Sequence, residues 1–332
     1  MTTIAVLGSG SWGTALAILL ARNGHKVKLW DRDPSLVAEL QQHGCNRRYM
    51  PDVPLPSNLQ VMVALEATVM TADLVLIAIP SAGFRQLLPK IKPLQKRIVW
   101  VSKGVEPQTN QLLNNVITEI LGSNIKAAIL SGPSFAREVA LNLPTAVVIA
   151  SENKTYAEFL ISLFANANFR PYYSDDIVSV EIGGVVKNVM AIAAGISDGL
   201  GYGANARAAL ITHGLHEITC LATALGGRAE TLAGLSGFGD LILTCTDNQS
   251  RNRRFGLAIG QGLSTEQALA KIGQVVEGAN NVEQVISLAH KYDVDMPITQ
   301  YVQRVLRQEI TPQQAIQALF APELQRQCNN AE

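Results

Sequence analysis

Gly8-Ser9-Gly10-Ser11-Trp12-Gly13 is a GxGxxG sequence that follows a short apolar strand, Ile4–Leu7, and opens a helix that begins near Thr14. The first glycine of such a turn permits the tight bend, the second lets a pyrophosphate approach the backbone, and the third lets helix and strand pack closely. The helix N-terminus then presents N–H groups and the positive end of its dipole to the anion. Glycine-rich turns can serve packing alone, but this context predicts a dinucleotide cofactor.

The next strand ends at the position where dinucleotide-binding domains bind the ribose of adenosine. Val27–Trp30 follows an Asn23-Gly24 break, and Asp31-Arg32-Asp33 comes directly after it. An acid there binds the ribose 2'-hydroxyl and favours NAD, whereas an arginine can pair with a 2'-phosphate and favour NADP. Because Asp31 and Arg32 favour different cofactors, these residues leave both open.

The order of apolar segments predicts the fold class. Up to about Tyr173, continuous apolar strands alternate with helical or loop segments, which is typical of a parallel sheet covered on both faces. The strands are Ile4–Leu7, Val27–Trp30, Leu74–Ile79, Ile98–Val101, Ala127–Leu130 and Ala146–Ile149.

From Asp176 onward, helical segments broken by Gly and Pro replace the strands. They are Val178–Ile196, Ala206–Leu225, Arg253–Gly260, Thr265–Ile272, Asn281–Tyr292, Ile298–Arg307 and Pro312–Leu319. We therefore predict an α/β Rossmann-type domain with a doubly wound parallel sheet over residues 1–174, an all-α C-terminal domain over residues 175–324, and a polar tail over residues 325–332.

Composition and charge exclude several classes of protein. Among 332 residues, 27 Lys and Arg balance 27 Asp and Glu, so no overall field favours nucleic acid or an anionic membrane. The longest apolar stretch, around Val185–Ile196, is shorter than a membrane span, and no basic leader precedes an apolar block. The cysteines show no CxxC or Cys/His pairing, which favours reduced thiols over disulfides or a zinc site. We expect a cytoplasmic protein that binds neither nucleic acid nor a membrane.

Lys187 is the most informative residue of the predicted helical domain. It lies in a helix that is apolar almost all round, where an unpaired ammonium group is costly. Its neighbours on the same helix face are all small: Gly183, Gly184, Ala191 and Ala194. Such a face predicts a groove in which a substrate, rather than a side chain, meets the ammonium. The alternative is a lysine whose charged head reaches solvent from a core helix.

A lysine suits the reduction of a carbonyl group. Hydride that arrives at the carbonyl carbon creates an alkoxide, and a lysine whose pKa is lowered towards about 7 or 8 can donate the proton that the alkoxide needs. Burial or a neighbouring cation lowers a lysine pKa in this way. Lys103, which follows a predicted sheet strand, is the candidate cation, and a surface lysine is the alternative.

Two further segments carry groups suited to a substrate. Asp240 follows three glycines that permit close backbone approach, and an apolar run after it would shield its carboxylate. That carboxylate could orient Lys187 or accept a substrate hydroxyl. Ser250-Arg251-Asn252 combines a guanidinium fork with hydroxyl and amide groups, which suits a phosphate. A solvated basic loop is the alternative there.

A possible metal site is set aside. His213 and His216, followed by Glu217, first suggest metal ligands. Their order matches neither the HExxH zinc helix nor its inverted form, and a three-residue spacing occurs by chance on any helix. We therefore expect no metal.

Six separated motifs occur in one order along the chain. They are GSGSWGTALA from Gly8, VSKG from Val101, SGPSFA from Ser131, GGVVKNV from Gly183, SGFGDLILTCTDNQSRNRRFG from Ser236 and QVVEG from Gln274. Together they closely resemble the bacterial-type NAD(P)-dependent sn-glycerol-3-phosphate dehydrogenases, and the resemblance runs from Ile4 to about Leu319. It implies the interconversion of dihydroxyacetone phosphate and sn-glycerol 3-phosphate, which supplies the backbone of membrane phospholipids.

The resemblance also implies roles for individual residues. Beside the turn glycines Gly8, Gly10 and Gly13, it assigns the cofactor to Ser11, Trp12, Arg32, Lys103, Ala136, Arg251, Val275 and Glu277. It assigns the substrate to Lys103, Gly132, Ser134, Lys187, Asp240, Ser250, Arg251 and Asn252. The catalytic residues are then Lys187, which exchanges the proton, and Asp240, which helps to orient it. Thr244 is implied as a partner near the lysine.

The contact implied for Arg32 favours NADPH as the preferred cofactor, with NADH also used, and Asp31→Ala is then expected to improve NADPH binding. Two alternatives stay open: a 3-hydroxy acid dehydrogenase of the same architecture, whose arginine would bind a carboxylate, and a non-catalytic protein that senses NAD(P)H. The expected partners are the small-molecule substrate and a second copy of the chain, because an extensively apolar helical domain favours a homodimer.

Overall fold

The computed structural model describes residues 1–94 and 96–321, and the predicted polar tail, 325–332, lies outside them. The chain forms two compact units, Met1–Glu181 and a second that begins at Ile182. The sequence places the boundary at residue 174, where the last strand ends. Glu181 nevertheless belongs to the first unit, where its carboxylate accepts the backbone N–H of Asn114 at 3.2 Å. The predicted domain limits stay a prediction.

The first unit is built on an eight-stranded sheet with the order β10-β9-β8-β7-β6-β1-β2-β5. Its strands are β1 (Thr3–Leu7), β2 (Lys26–Trp30), β5 (Leu59–Met62), β6 (Leu74–Ile77), β7 (Arg97–Trp100), β8 (Ala127–Ser131), β9 (Thr145–Ala150) and β10 (Phe169–Ser174). A separate antiparallel pair is formed by β3 (Cys45–Asn46) and β4 (Met50–Pro54). The central strands β1 and β6 are buried along almost their whole length, as continuous apolar strands in a parallel sheet are.

The predicted Rossmann-type fold class is confirmed, with one difference in strand direction. Strands β5, β2, β1, β6, β7 and β8 run parallel, but β9 runs antiparallel to β8, and β10 is parallel to β9. The helix between β8 and β9 has only five residues, about 7.5 Å of rise, whereas β8 spans about 16 Å. Because β9 is antiparallel to β8, it starts at the end of the sheet where β8 finishes.

Seven α-helices lie within the part of the first unit that the structure describes, before α8 begins. They are α1 (Ser11–Arg22), α2 (Pro34–His43), α3 (Leu65–Met70), α4 (Phe84–Ile91), α5 (Leu113–Leu121), α6 (Ala136–Ala140) and α7 (Lys154–Phe164). Helix α1 is buried from Gly13 to Ala21, and its apolar side chains join the core formed by the sheet. The glycine sequence is therefore fixed between a buried strand and a buried helix.

Helices form the second unit in the part of the chain that the structure describes. Helix α8 (Ile177–Gly199) leads into it and is followed by α9 (Gly203–Ala224), α10 (Ala229–Leu232), a π-helical turn (Leu235–Gly239), α11 (Asp240–Thr246), α12 (Arg251–Gly260), α13 (Thr265–Ile272), α14 (Glu277–Lys291), α15 (Pro297–Leu306) and α16 (Pro312–Leu319). By length and composition α8 alone among the described helices could cross a membrane, but 94% of its most apolar window is buried, as in a core helix.

Close helix packing around α8 positions the residues at the start of α12. A Cβ atom on Gly195 would lie 2.1 Å from the carbonyl oxygen of Arg253, and one on Gly256 would lie 2.1 Å from that of Ile192. Glycine at both positions lets the two helix backbones touch. The N-terminus of α12, which carries the predicted phosphate-binding residues, is thereby held against α8.

Candidate active site

The glycine turn, Gly8–Gly13, has a backbone geometry that depends on glycine at two of its positions. Gly8 has a φ of +111°, and a Cβ atom there would lie 2.6 Å from the carbonyl oxygen of Ala78. A Cβ atom on Gly13 would lie 2.0 Å from the carbonyl oxygen of Gly8, so the helix can approach the strand only with glycine there. A Cβ atom on Gly10, in contrast, would meet nothing within 4 Å. The space beside Gly10 is where an anion can approach the backbone.

The N-terminus of α1 adjoins this space. Gly10 is its N-cap, and within the described residues no side chain caps the helix and its first turn has no acid. Ser11 and Trp12 are the first two residues of the helix, and both are half-buried. The first N–H groups and the positive dipole end therefore suit a pyrophosphate.

Other residues implied for ligand binding lie beyond the ends of the parallel strands. Lys103 follows β7 and is half-buried, while the loop after β8 begins at Gly132, which has a φ of +141°. The hydroxyl of Ser134 donates to the carbonyl oxygen of Gly132 at 2.9 Å, and Ala136 is the first residue of α6. Since β1, β7 and β8 all point the same way, these residues share the sheet edge with the glycine turn.

At the end of β2, the acid that was expected to bind a ribose contacts the protein instead. Arg32 is exposed, but the carboxylate of Asp31 accepts hydrogen bonds from the backbone N–H and the hydroxyl of Ser9, each at 2.8 Å. Asp31 is thus bound to the glycine turn, and its predicted contact with a ribose stays a prediction.

In the second unit, three side chains form the lysine cluster: Lys187, Asp240 and Thr244. The ammonium of Lys187 donates to Oδ1 of Asp240 and to Oγ1 of Thr244, the latter at 2.9 Å. All three are buried, with exposed fractions of 6%, 1% and 4%. A buried ammonium that contacts a carboxylate and a hydroxyl is a compensated charge, so the alternative of a lysine that reaches solvent is wrong.

The small-residue face of α8 is not the groove that the sequence predicts. A Cβ atom on Gly183 would lie 2.7 Å from the carbonyl oxygen of Ser236, so protein backbone fills this part of the face. The π-helical turn Leu235–Gly239 supplies that backbone and leads directly into Asp240, the first residue of α11. Glycine at position 183 therefore lets this turn approach α8, and the turn leads to the carboxylate that contacts Lys187. π-Helical turns of this kind are frequent at functional sites.

A second group of contacts, the amide network, joins two residues implied in ligand binding through Asn188. The Asn188 amide group donates to Oε2 of Glu277 at 3.1 Å, and its oxygen accepts the Asn252 amide at 3.0 Å. The Asn252 oxygen in turn accepts the backbone N–H of Gly278 at 2.8 Å. Sequence reasoning missed Asn188, although a polar residue next to Lys187 in an apolar helix was a signal.

The basic segment at the start of α12 divides into different roles. Ser250 caps the helix by accepting the backbone N–H of Arg253 at 3.2 Å, and Arg251 is half-buried in its first turn. Arg253 is buried and donates to Asp198 at 2.5 Å, to the carbonyl oxygen of Cys245 at 3.0 Å, and to the side chain of Asn248. Arg253 therefore anchors the loop that precedes Ser250, and the alternative of a wholly solvated basic loop is wrong.

The residues that first suggest a metal site make other contacts. His213 and His216 are exposed on α9, and His216 lies 3.5 Å from Sγ of Cys220. Glu217 is buried and accepts the backbone N–H groups of Ile298 and Thr299 instead. Across residues 1–94 and 96–321, no cluster of three His, Cys, Asp or Glu side chains could hold a metal ion.

Comparisons with known proteins identify the family of the chain. The family model of the NAD-dependent glycerol-3-phosphate dehydrogenase N-terminus matches residues 3–157, and that of the C-terminus matches residues 176–317. The chain belongs to the NAD-dependent glycerol-3-phosphate dehydrogenase family. The predicted family is thus confirmed.

Curated relatives and solved structures in this family cover nearly the whole chain. Glycerol-3-phosphate dehydrogenase (NAD(P)+) of Thioalkalivibrio sulfidiphilus is 52% identical over 306 residues, 91% of this chain and 92% of that protein. The enzyme of the same name from Aeromonas salmonicida is 50% identical and covers 96% of both chains. The crystal structure of glycerol-3-phosphate dehydrogenase from Coxiella burnetii superimposes with a TM-score of 0.93 at 49% identity, covering 96% of this chain and 98% of that one.

Proposed function

We propose that the protein interconverts dihydroxyacetone phosphate and sn-glycerol 3-phosphate with NAD(P)H. The observation that carries the proposal is the buried lysine cluster, which places an ammonium, a carboxylate and a hydroxyl within hydrogen-bond distance of one another. Such a cluster is suited to protonating the oxygen of a ketone that accepts hydride.

The glycine turn and the N-terminus of α1 would hold the pyrophosphate of the cofactor, and Arg32 would face the adenosine end. When bound, the reduced nicotinamide supplies the hydride. The phosphate of the substrate would be bound by Ser250, Arg251 and Asn252. The binding energy gained there, away from the carbonyl group, holds the reacting carbon in position for hydride transfer. Lys103, Gly132 and Ser134 would contribute the remaining substrate contacts.

Lys187 would carry the proton chemistry. As hydride adds to C2 of the ketone, the Nζ atom of Lys187 gives a proton to the carbonyl oxygen and becomes a neutral amine, which solvent then reprotonates. Asp240 favours the charged ammonium before transfer, because an adjacent carboxylate stabilises a cation. Thr244 fixes the position of Nζ. In the reverse direction, the neutral amine accepts the proton of the alcohol.

One assay separates this proposal from its alternatives. The protein is mixed with NADPH and dihydroxyacetone phosphate, and the absorbance of NADPH is followed. We expect NADPH to be consumed, and Lys187→Met to abolish most of the rate. Turnover of 3-hydroxy acids but not of the phosphorylated alcohol would favour the 3-hydroxy acid dehydrogenase, and NADPH binding without any turnover would favour a sensor.

The cofactor preference, assembly and location of the enzyme are further parts of the proposal. The relatives are named for NAD(P)+, and the exposed guanidinium of Arg32 supports a preference for NADPH with NADH also used. The role would be to supply glycerol 3-phosphate for phospholipid synthesis in the cytoplasm. A homodimer is the expected assembly, and sedimentation of the purified protein at several concentrations would test it.

A further inference from the structure

The acid at the end of β2 makes contacts that ribose recognition does not require. Asp31 and Ser9 are 22 residues apart in sequence, and Oδ2 of Asp31 accepts both the backbone N–H and the hydroxyl of Ser9 at 2.8 Å. The other oxygen, Oδ1, accepts the backbone N–H of Asp33 at 3.1 Å. Three donors of the protein therefore point at this one carboxylate.

Ser9 is held equally firmly from the other side. Its carbonyl oxygen accepts the hydroxyl of Thr14 at 3.1 Å and the amide of Asn46 at 2.9 Å, and the same amide also donates to the Thr14 hydroxyl at 2.8 Å. Ser9, Thr14 and Asn46 are almost completely buried. The N–H, the hydroxyl and the carbonyl oxygen of Ser9 are thus all bonded within the protein.

Fixing Ser9 fixes the part of the turn that approaches the cofactor. The peptide group that follows Ser9 carries the N–H of Gly10, next to the open space at Gly10 and the first N–H groups of α1. A binding loop that is already ordered loses less conformational entropy when the ligand arrives. Hydrogen bonds to a charged acceptor are stronger than those between neutral groups, so Asp31 contributes much of the ordering of the glycine turn.

We infer that Asp31 is a positioning residue of the glycine turn and acts equally on NADH and NADPH, while Arg32 alone discriminates between them. The inference rests on the proposed use of NAD(P)H as cofactor. It replaces the expectation that Asp31 reads the ribose and repels a 2'-phosphate, under which Asp31→Ala would improve NADPH binding.

The test is a titration of each cofactor, followed by its own fluorescence, into wild type, Asp31→Ala, Asp31→Asn and Arg32→Ala. Because Asp31→Ala removes a charged acceptor from two bonds of the turn, we expect about 10- to 100-fold weaker binding of both cofactors, with losses that agree within about threefold. Asp31→Asn keeps an amide oxygen as acceptor and should lose less for both. Arg32→Ala should weaken NADPH only.

Ser9→Ala supplies a second, independent arm. It removes the hydroxyl donor from a buried residue that makes its bonds within the protein, and we expect a smaller, equal loss for both cofactors. The double variant Ser9→Ala with Asp31→Ala should lose little more cofactor affinity than Asp31→Ala alone, since Asp31→Ala has already removed the hydrogen bond of the Ser9 hydroxyl. Fully additive losses would contradict coupling through Ser9.

A matched control is Asp73→Ala. The carboxylate of Asp73 accepts the backbone N–H of Thr3 at 2.9 Å, at the opposite end of β1, so it is a comparable bond far from the turn. This variant should bind both cofactors as wild type does. If Asp31→Ala fails to fold, the Asp31→Asn titration decides the question alone.

Steady-state rates distinguish positioning from a purely structural role. With a positioning role, the KM for each cofactor rises while kcat at saturating cofactor stays within about threefold of wild type. Weaker NADH binding with tighter NADPH binding would overturn the inference in favour of ribose reading, and unchanged affinity for both in a folded variant would also overturn it. The binding titrations do not need turnover, so absence of ketone reduction would contradict the proposed reaction and leave this result intact.

Discussion

The glycine turn and the lysine cluster are assembled in different ways. The turn is six consecutive residues whose shape follows from the positions of its glycines, and in the proposed function its backbone groups bind the cofactor. In the lysine cluster, the partners of Lys187 lie 53 and 57 residues further along the chain, and in the proposed function side chains carry out the proton transfer. A backbone site is therefore sensitive to added atoms, whereas a side-chain site is sensitive to lost charges and donors.

The largest effect on the turn is expected from adding one methyl group. In Gly13→Ala the new Cβ would lie 2.0 Å from the carbonyl oxygen of Gly8, so helix and strand must separate. We expect cofactor affinity to fall at least about 100-fold and the melting temperature to drop. Gly10→Ala is the matched variant, because its Cβ meets nothing within 4 Å. It should keep its stability yet lose cofactor affinity; unchanged affinity would show that no ligand approaches Gly10.

Removing one charge should have the next largest effect, this time on the lysine cluster. In Asp240→Asn the ammonium of Lys187 loses its adjacent carboxylate, and we expect turnover to fall about 10- to 100-fold with cofactor affinity unchanged. The neutral amine becomes relatively more stable, so the alkaline limb of the ketone reduction rate should move to lower pH. Asp247→Asn, whose carboxylate accepts the N–H of Gln249, is the control. A pH profile that Asp240→Asn leaves unmoved would separate Asp240 from the proton transfer.

A smaller and more selective loss of activity is expected when the predicted phosphate-binding residue Arg251 is changed. Arg251→Ala should lower kcat/KM for dihydroxyacetone phosphate about 10-fold or more, and for unphosphorylated dihydroxyacetone less than about threefold, since a charge-assisted contact typically contributes about 1.5 to 3 kcal/mol. NADPH affinity is measured separately because Arg251 is also implied in cofactor binding. Equal losses on both ketones would show that this arginine does not recognise phosphate.

The smallest effect on activity concerns a buried acid of the second unit outside the lysine cluster. Burial raises the pKa of Glu217 to about 8 from its ordinary 4.5. The folded protein then holds a proton that the unfolded chain releases, so the stabilisation from Glu217 is complete below about pH 4.5 and is lost as the pH rises through about 8. The slope is about 1.4 kcal/mol per pH unit for one proton.

Glu217→Gln removes this titration and nearly preserves the shape of the side chain. We expect the free energy of unfolding, measured by denaturant at pH 5 to 8, to fall less steeply with pH than in wild type, while turnover stays nearly unchanged. Parallel curves for wild type and variant would mean that the N–H groups of Ile298 and Thr299 keep Glu217 ionised in the folded protein.

Sequence reasoning succeeded where local pattern decides the structure. The strand, turn and helix around Gly8 were predictable because three glycines and an apolar strand specify them together, and the central strands were predictable because they are continuously apolar. The edge strands β5 and β10 were missed, since alternating exposed residues such as Arg170 and Tyr172 weaken the apolar signal. The antiparallel direction of β9 was not predicted either, because an apolar strand has the same pattern in both directions.

In the second unit, sequence reasoning found the lysine but not its surroundings. Lys187 stands out as a charge in an apolar helix, yet the closing of its small-residue face by the turn before Asp240 depends on tertiary packing. The amide network was equally hidden, because Asn188 and Glu277 are 89 residues apart. Spacing in the sequence reports neighbours on one helix, and contacts between helices follow from the folded backbone.

The most direct test of the account compares chemistry and binding in one pair of samples, wild type and Lys187→Met. NADPH affinity is measured by titration, and the rate of NADPH oxidation is then followed in a single turnover with saturating dihydroxyacetone phosphate. We expect affinities that agree within about threefold and a rate that falls at least about 100-fold, since general acid catalysis typically contributes 10² to 10⁴. A Lys187→Met rate above about half of the wild-type rate would contradict the assignment of the proton transfer to Lys187.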